Sequence, residues 1–198
     1  MNLSACPTLL RTIEGGTWHR AVQPQHLSGA LDLGYTRDVP SRFNAGGNDG
    51  QMQILYLGEN QLVTLFEVEA LFGNPLTPTP NPARPWTTVP IIVRLHEVAD
   101  LSRVATQGLL DTTAQELTGD WKGYAIRTPM HSVSEPAGLA PTQELGAAVY
   151  AVPGLEGFIT VSAKLPDSRN LVVFPQKLHS GSRLEYYDPQ TRQTHVLP

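Results

Sequence analysis

Six prolines, Pro75, Pro78, Pro80, Pro82, Pro85 and Pro90, stand between Asn74 and Pro90, and a second run of breakers, Pro24, Gly29, Gly34, Pro40, Gly46, Gly47 and Gly50, fills residues 23–51. Proline fixes φ and removes a backbone donor, so the first stretch excludes a helix interior or a central strand. It reads as a stiff, polyproline-like connection over the surface. Residues 23–51 read as a long surface connection of the kind that often carries function, with Arg42-Phe43-Asn44 inside it. With 17 glycines and 17 prolines in 198 residues, turns and shaped loops are expected and long exposed helices are not.

Between the breakers the regular elements are short. Thr17–Val22 reads as a strand with Trp18 and Arg20 on one face and His19 on the other. Met52–Leu57 reads as a strand. Asn60 is then the N-cap of a helix running to about Phe72 and closed by Gly73, Asn74 and Pro75. That helix is apolar on most of its circumference, which leaves Glu67 and Glu69 partly desolvated and in need of donors or a cation. Ile91–Leu95 is a buried-strand candidate, and Leu101–Leu110 is ambiguous. A short helix spans Thr112–Leu117, residues 127–141 read as loop, and Thr142–Ala151 is helical after Pro141. Gly157–Ser162, Asn170–Phe174 and Arg183–Tyr187 read as strands, the last paired with Gln193–Leu197. Strands and helices without regular alternation predict an α+β fold, one domain over residues 1–198 with a mixed or antiparallel sheet and flanking helices.

Composition narrows the functional classes. The 14 Lys and Arg against 18 Asp and Glu give a net charge of −4, and no basic patch suited to nucleic acid is visible. The 40% apolar content can build a core unaided. A single cysteine, Cys6, permits neither an intrachain disulfide nor a thiolate cage, and no basic n-region with an apolar run opens the chain. A cytoplasmic protein without membrane insertion is therefore expected. Phosphate-cradling glycine loops, a dinucleotide fingerprint, a His-Glu-x-x-His zinc motif and a Gly-x-Ser-x-Gly elbow are all absent. The six histidines, His19, His26, His96, His131, His179 and His195, show no ligand-like spacing, so no metal is expected.

What remains is a scattered set of polar residues in strand-like or helix-starting settings: Arg20, Arg42 with Asn44, Tyr56, Glu67 and Ser162. Their order carries a resemblance. Trp-His-Arg20, then Arg42-Phe-Asn followed by glycines, then Ile-Leu-Tyr56-Leu-Gly, then Thr64-Leu-Phe-Glu67, then Ser162 before Asn-Leu-Val-Val-Phe174 resembles the RES domain, named for its arginine, glutamate and serine. The interval from Tyr56 to Glu67 matches the family's tyrosine-to-glutamate spacing, and the likeness covers about residues 17–175. The chain departs from the pattern at Ser41, where the family commonly has glycine, and in the longer glycine-rich segment Ala45–Gln53. The resemblance implies a fold similar to ADP-ribosyltransferases. It also implies an NAD-consuming toxin that passes ADP-ribosyl to water, phosphate or protein. The implied partner is a helix-turn-helix, Xre-type antitoxin that covers the site. NAD would be substrate, with no separate cofactor; a homo-oligomer is compatible with the sequence.

The residue chemistry suits that implication. Expelling nicotinamide builds positive charge on the ribose carbon, which a carboxylate such as Glu67 stabilises. Guanidinium forks at Arg20 and Arg42 suit a diphosphate. Tyr56 can stack or hydrogen-bond, Asn44 joins the substrate-binding set, and Ser162 can donate a hydrogen bond; with no base beside it, covalent serine chemistry is not expected. Glu67, Arg42 and Ser162 form the expected catalytic group. Each also has a plainer reading: surface ion pairs for the arginines, a half-buried aromatic for Tyr56, a solvated charge for Glu67 and a strand-end hydrogen bonder for Ser162. The tryptophans Trp18, Trp86 and Trp121 read as core or loop packing, with Trp121 also a candidate for the pocket wall. Two rivals from other classes are a non-catalytic nucleotide-binding module and an interaction protein working through residues 74–90.

Overall fold

The structure, a computed structural model, describes residues 1–46, 52–124 and 138–198. Parts of the expected loops at 23–51 and 127–141 therefore lie outside the described residues, as does His131. The strands are β1 (Arg11–Val22), β2 (Leu55–Gly58), β3 (Leu71–Asn74), β4 (Thr77–Pro80), β5 (Thr87–Asp100), β6 (Gly157–Val161), β7 (Arg169–Val173), β8 (Arg183–Asp188) and β9 (Gln193–Leu197). The helices are α1 (Gln61–Glu67), α2 (Val104–Leu109), α3 (Ala114–Thr118) and α4 (Pro141–Ala151).

Seven strands form one mixed sheet in the order β1-β2-β7-β6-β5-β8-β9, and β1 also pairs with β5. Strands β1, β2, β7, β6 and β5 therefore form a closed circuit. Among the described residues, only β5 and β6 run parallel. This is the α+β architecture with a mixed sheet that the pattern of elements predicts.

Two apolar layers flank the sheet. Trp18, Val22, Leu57, Ile91, Val93, Leu95 and Leu171 belong to one. Phe43, Ile54, Leu117, Leu145, Val149, Phe158 and Phe174 belong to the other, where α4 packs and where Phe43 and Phe158 meet edge-to-face at 5.0 Å. In β1, Trp18, Arg20 and Val22 are buried in strict alternation, as the period of a strand requires.

Four expectations are corrected. The helix opened by Asn60 does begin there, with Asn60 Oδ1 accepting from the Val63 amide at 2.9 Å, but it ends at Glu67 rather than near Phe72. Glu69 adopts φ +60°, and the amides of Glu69 and Ala70 donate to the carbonyls of Phe66 and Leu65. That is a Schellman stop built on a non-glycine residue. Leu71 and Phe72 pass into β3.

The proline-rich stretch is not a bare connection. Thr77–Pro80 pairs with β3, with Gly73 opposite Pro78 and Leu71 opposite Pro80, and Thr87–Pro90 already belongs to β5. A two-stranded ribbon has an outer edge on each strand, where a missing N–H breaks no ladder bond. Residues 23–46 are also less superficial than expected, because Ala30, Leu31, Leu33 and Phe43 are buried. Finally, β1 starts at Arg11, not Thr17; a register shift between Thr12 and Glu14 and the φ +107° of Gly16 disguise its first half.

Candidate active site

Glu67 is the last residue of α1, and its carboxylate reaches across to the β6–β7 hairpin. Its Oε1 accepts from Ser162 Oγ at 2.5 Å, from the Ala163 amide at 2.9 Å and from Asn170 Nδ2 at 2.9 Å. Among the described residues, Oε2 has no hydrogen-bond partner. One oxygen is anchored by three donors while the other is available to a ligand. Ser162 Oγ in turn accepts from the amides of Lys164 and Leu165 at 3.2 and 3.0 Å. With both acceptor directions used and its proton directed to Glu67, the hydroxyl is arranged to orient the carboxylate rather than to attack.

Arg42 sits in the Ser41–Asn44 turn, which several groups hold from below. The Tyr56 hydroxyl accepts from the Phe43 amide at 3.1 Å and pairs with Ser41 Oγ at 2.9 Å. Gln143 of α4 donates through Nε2 to the Ser41 carbonyl at 3.1 Å and the Asn44 carbonyl at 3.4 Å. Gly146 lets α4 approach this turn, since a Cβ there would lie 1.9 Å from the Phe43 carbonyl oxygen. Asn44 is buried and internally engaged: Nδ2 donates to the Thr36 and Met52 carbonyls, and Oδ1 accepts from the Gly46 amide. Its side chain fastens the loop and does not line the cleft.

Arg42 Nη1 donates to the Gly119 carbonyl at 2.5 Å and to the Leu117 carbonyl at 3.4 Å, tying the turn to the end of α3. Burial lowers the affinity of its guanidinium for the proton, and Glu67, Tyr56 and Asp120 oppose that effect in this order. Burial likewise pushes the Tyr56 hydroxyl up to about 12. Arg20, buried on β1, donates to the carbonyls of Ala30 and Asp32, the latter at 3.3 Å, and so also braces the loop that follows β1.

These elements enclose a cleft of about 620 Å³ whose lining includes Arg20, Arg42, Tyr56 and Glu67. That volume lies in the range of pockets that bury small ligands, about 300–1,000 Å³. Of the residues singled out in the sequence, four converge on the cleft. Ser162 stands behind Glu67 and Asn44 beneath the loop. Sequence reasoning did not find Asn170, Trp86, Lys122 and Lys164, which also line it; Trp121 lines it too. The signal for Asn170 was a polar residue opening an otherwise apolar strand. Trp86 reads from the sequence as core or loop packing. On the rim, Lys164 Nζ pairs with the exposed Glu69 at 3.0 Å.

Among the described residues, no group of three His, Cys, Asp or Glu side chains could hold a metal ion, and no helix is long and apolar enough to cross a membrane. A search of curated proteins finds no match. Among solved structures, a chain of the crystal structure of the M. tuberculosis MbcT-MbcA toxin-antitoxin complex matches with a TM-score of 0.64 at 17% identity, over 98% of this chain and 91% of that one. The fold is therefore shared with that structure. The family model for the RES domain matches residues 17–194, nearly the whole chain, and the protein belongs to the RES domain family.

Proposed function

We propose that the protein is an NAD-degrading enzyme that cleaves the bond between nicotinamide and ribose, as a glycohydrolase or phosphorylase. The observation that carries this reading is the division of labour within Glu67, with Oε1 held by three donors and Oε2 left for a ligand in a cleft that also presents Arg20 and Arg42. When the glycosidic bond breaks, its electron pair leaves with neutral nicotinamide and positive charge develops at the ribose carbon. A fixed carboxylate facing that carbon stabilises the charge without reorganising. Water then bonds to the carbon and releases a proton to solvent, or a phosphate oxyanion bonds to it directly. The guanidinium groups of Arg42 and Arg20 meet the diphosphate, each already steadied by backbone carbonyls. Transfer of ADP-ribosyl to a protein differs only in the acceptor.

Membership of the RES domain family and a fold shared with a chain of a toxin–antitoxin complex support a toxin role with an antitoxin partner. A helix-turn-helix protein of the Xre type that covers the cleft fits this role. The test is to incubate purified protein with NAD, with and without phosphate, and measure free nicotinamide. Release that depends on Glu67 supports the enzyme, and binding without release supports a nucleotide-binding module. Growth arrest on expression, relieved by a co-expressed helix-turn-helix partner, tests the toxin role.

A further inference from the structure

We infer that Asn170 is a positioning residue for Glu67, fixing where the carboxylate presents its free oxygen to a ligand in the cleft. Asn170 is paired on both sides within the sheet, with Gly58 of β2 and Thr160 of β6, so its backbone is firmly placed. Its Nδ2 donates to Glu67 Oε1 at 2.9 Å. A carboxylate only accepts, so the NH₂ end of the amide must face it and the orientation of Asn170 is set. The other two donors, Ser162 Oγ and the Ala163 amide, come from the turn that follows β6. Asn170 comes from the neighbouring strand, so Oε1 is gripped from the turn after β6 and from β7. Without this grip the carboxylate can rock about the Ser162–Ala163 side, because Glu67 ends a seven-residue helix and has no further turn behind it. Arg42 and Tyr56 interact electrostatically with Glu67, and Arg20, Glu69, Asp120, Lys122 and Lys164 line the same cleft.

The kinetic readout rests on the proposed reaction, and the variants are Asn170→Ala and Asn170→Asp in the full chain. N170D keeps the size and strand pairing, removes the donor and places a second anion against the first. Both variants are expected to lower kcat for nicotinamide release by up to about 100-fold while KM stays within about threefold, the signature of a misplaced reacting group. For N170D the ratio of its kcat to wild type rises as pH falls, because two carboxyls at hydrogen-bond distance share a proton and regain an O–H donor. Arg42 stays charged and Tyr56 neutral over about pH 5–8, so neither produces that recovery. An N170D enzyme with wild-type kcat at every pH, or with a loss that acid does not relieve, overturns the inference.

A wild type that releases no nicotinamide contradicts the proposed reaction and leaves Asn170 to a second measurement. In that case a double-mutant cycle of N170A and E67A, each of which deletes one side of the contact, is read in the urea unfolding midpoint. Non-additive shifts are expected from side chains acting as a unit, and additive shifts overturn the inference.

Discussion

The hydroxyl of Ser162 donates to Glu67 Oε1 at 2.5 Å, joining the strand-end turn after β6 to the last residue of α1 across 95 positions of sequence. Serine here serves the glutamate. The carboxylate is oriented before any ligand arrives, which is what electrostatic stabilisation of a developing cation requires.

Glu67→Gln keeps the size of the side chain and removes its charge. Nicotinamide release is expected to fall by about 100–1,000-fold, the range seen when a preorganised stabilising group is lost. The thermal midpoint should change little, because Gln can still accept through its carbonyl oxygen. Undiminished release would remove Glu67 from the proposed reaction.

Arg42→Ala deletes a charged donor from the cleft together with its tie to the Gly119 and Leu117 carbonyls. Hydrogen bonds to charged groups contribute about 1.5–3 kcal/mol, so kcat/KM should drop by about 10–100-fold, mostly through KM. Steady-state kinetics against NAD concentration measures this; unchanged KM and kcat would contradict the diphosphate assignment.

Tyr56→Phe removes the acceptor of the Phe43 amide and the partner of Ser41. Leaving that amide unsatisfied costs about 1–3 kcal/mol in urea unfolding. The hydroxyl is raised from 10 to about 12, so its stabilising contribution is complete below pH 10 and is lost as pH rises through about 12. Wild type should therefore lose stability over this alkaline window and the variant should lose less. Equal alkaline profiles would show that Tyr56 is not the group concerned.

Gly146→Ala forces a methyl toward the Phe43 carbonyl, where only 1.9 Å is available. Overpacking of this kind costs about 1–3 kcal/mol. Because the displaced turn carries Arg42, kcat/KM should fall together with the thermal midpoint. A variant with wild-type stability would show that α4 and the turn are less closely fitted.

Local chemistry made much of the fold legible. The alternation of Trp18, Arg20 and Val22, the Asn60 cap, the proline that opens α4 and the apolar strands around Ile159 and Val172 all act within a few residues. The end of α1 was hidden because Glu69 adopts a conformation that glycine usually supplies, while Gly73-Asn74-Pro75 offered a more conventional stop. The ribbon of β3 and β4 was hidden because prolines exclude central strands but not outer edges. At the site, Arg20, Arg42, Tyr56 and Glu67 were legible through their order. Asn170, Gln143 and the supporting role of Asn44 were not. Gln143 and Asn170 act across about a hundred positions of sequence, where periodicity carries no signal, and Asn44 acts within its own loop in a way its spacing does not reveal.

The most direct measurement is free nicotinamide from NAD incubated with purified wild-type protein and with Glu67→Gln, each with and without phosphate. The account predicts sustained release by wild type and almost none by the variant. Equal release by both, or intact NAD in every sample, would contradict it.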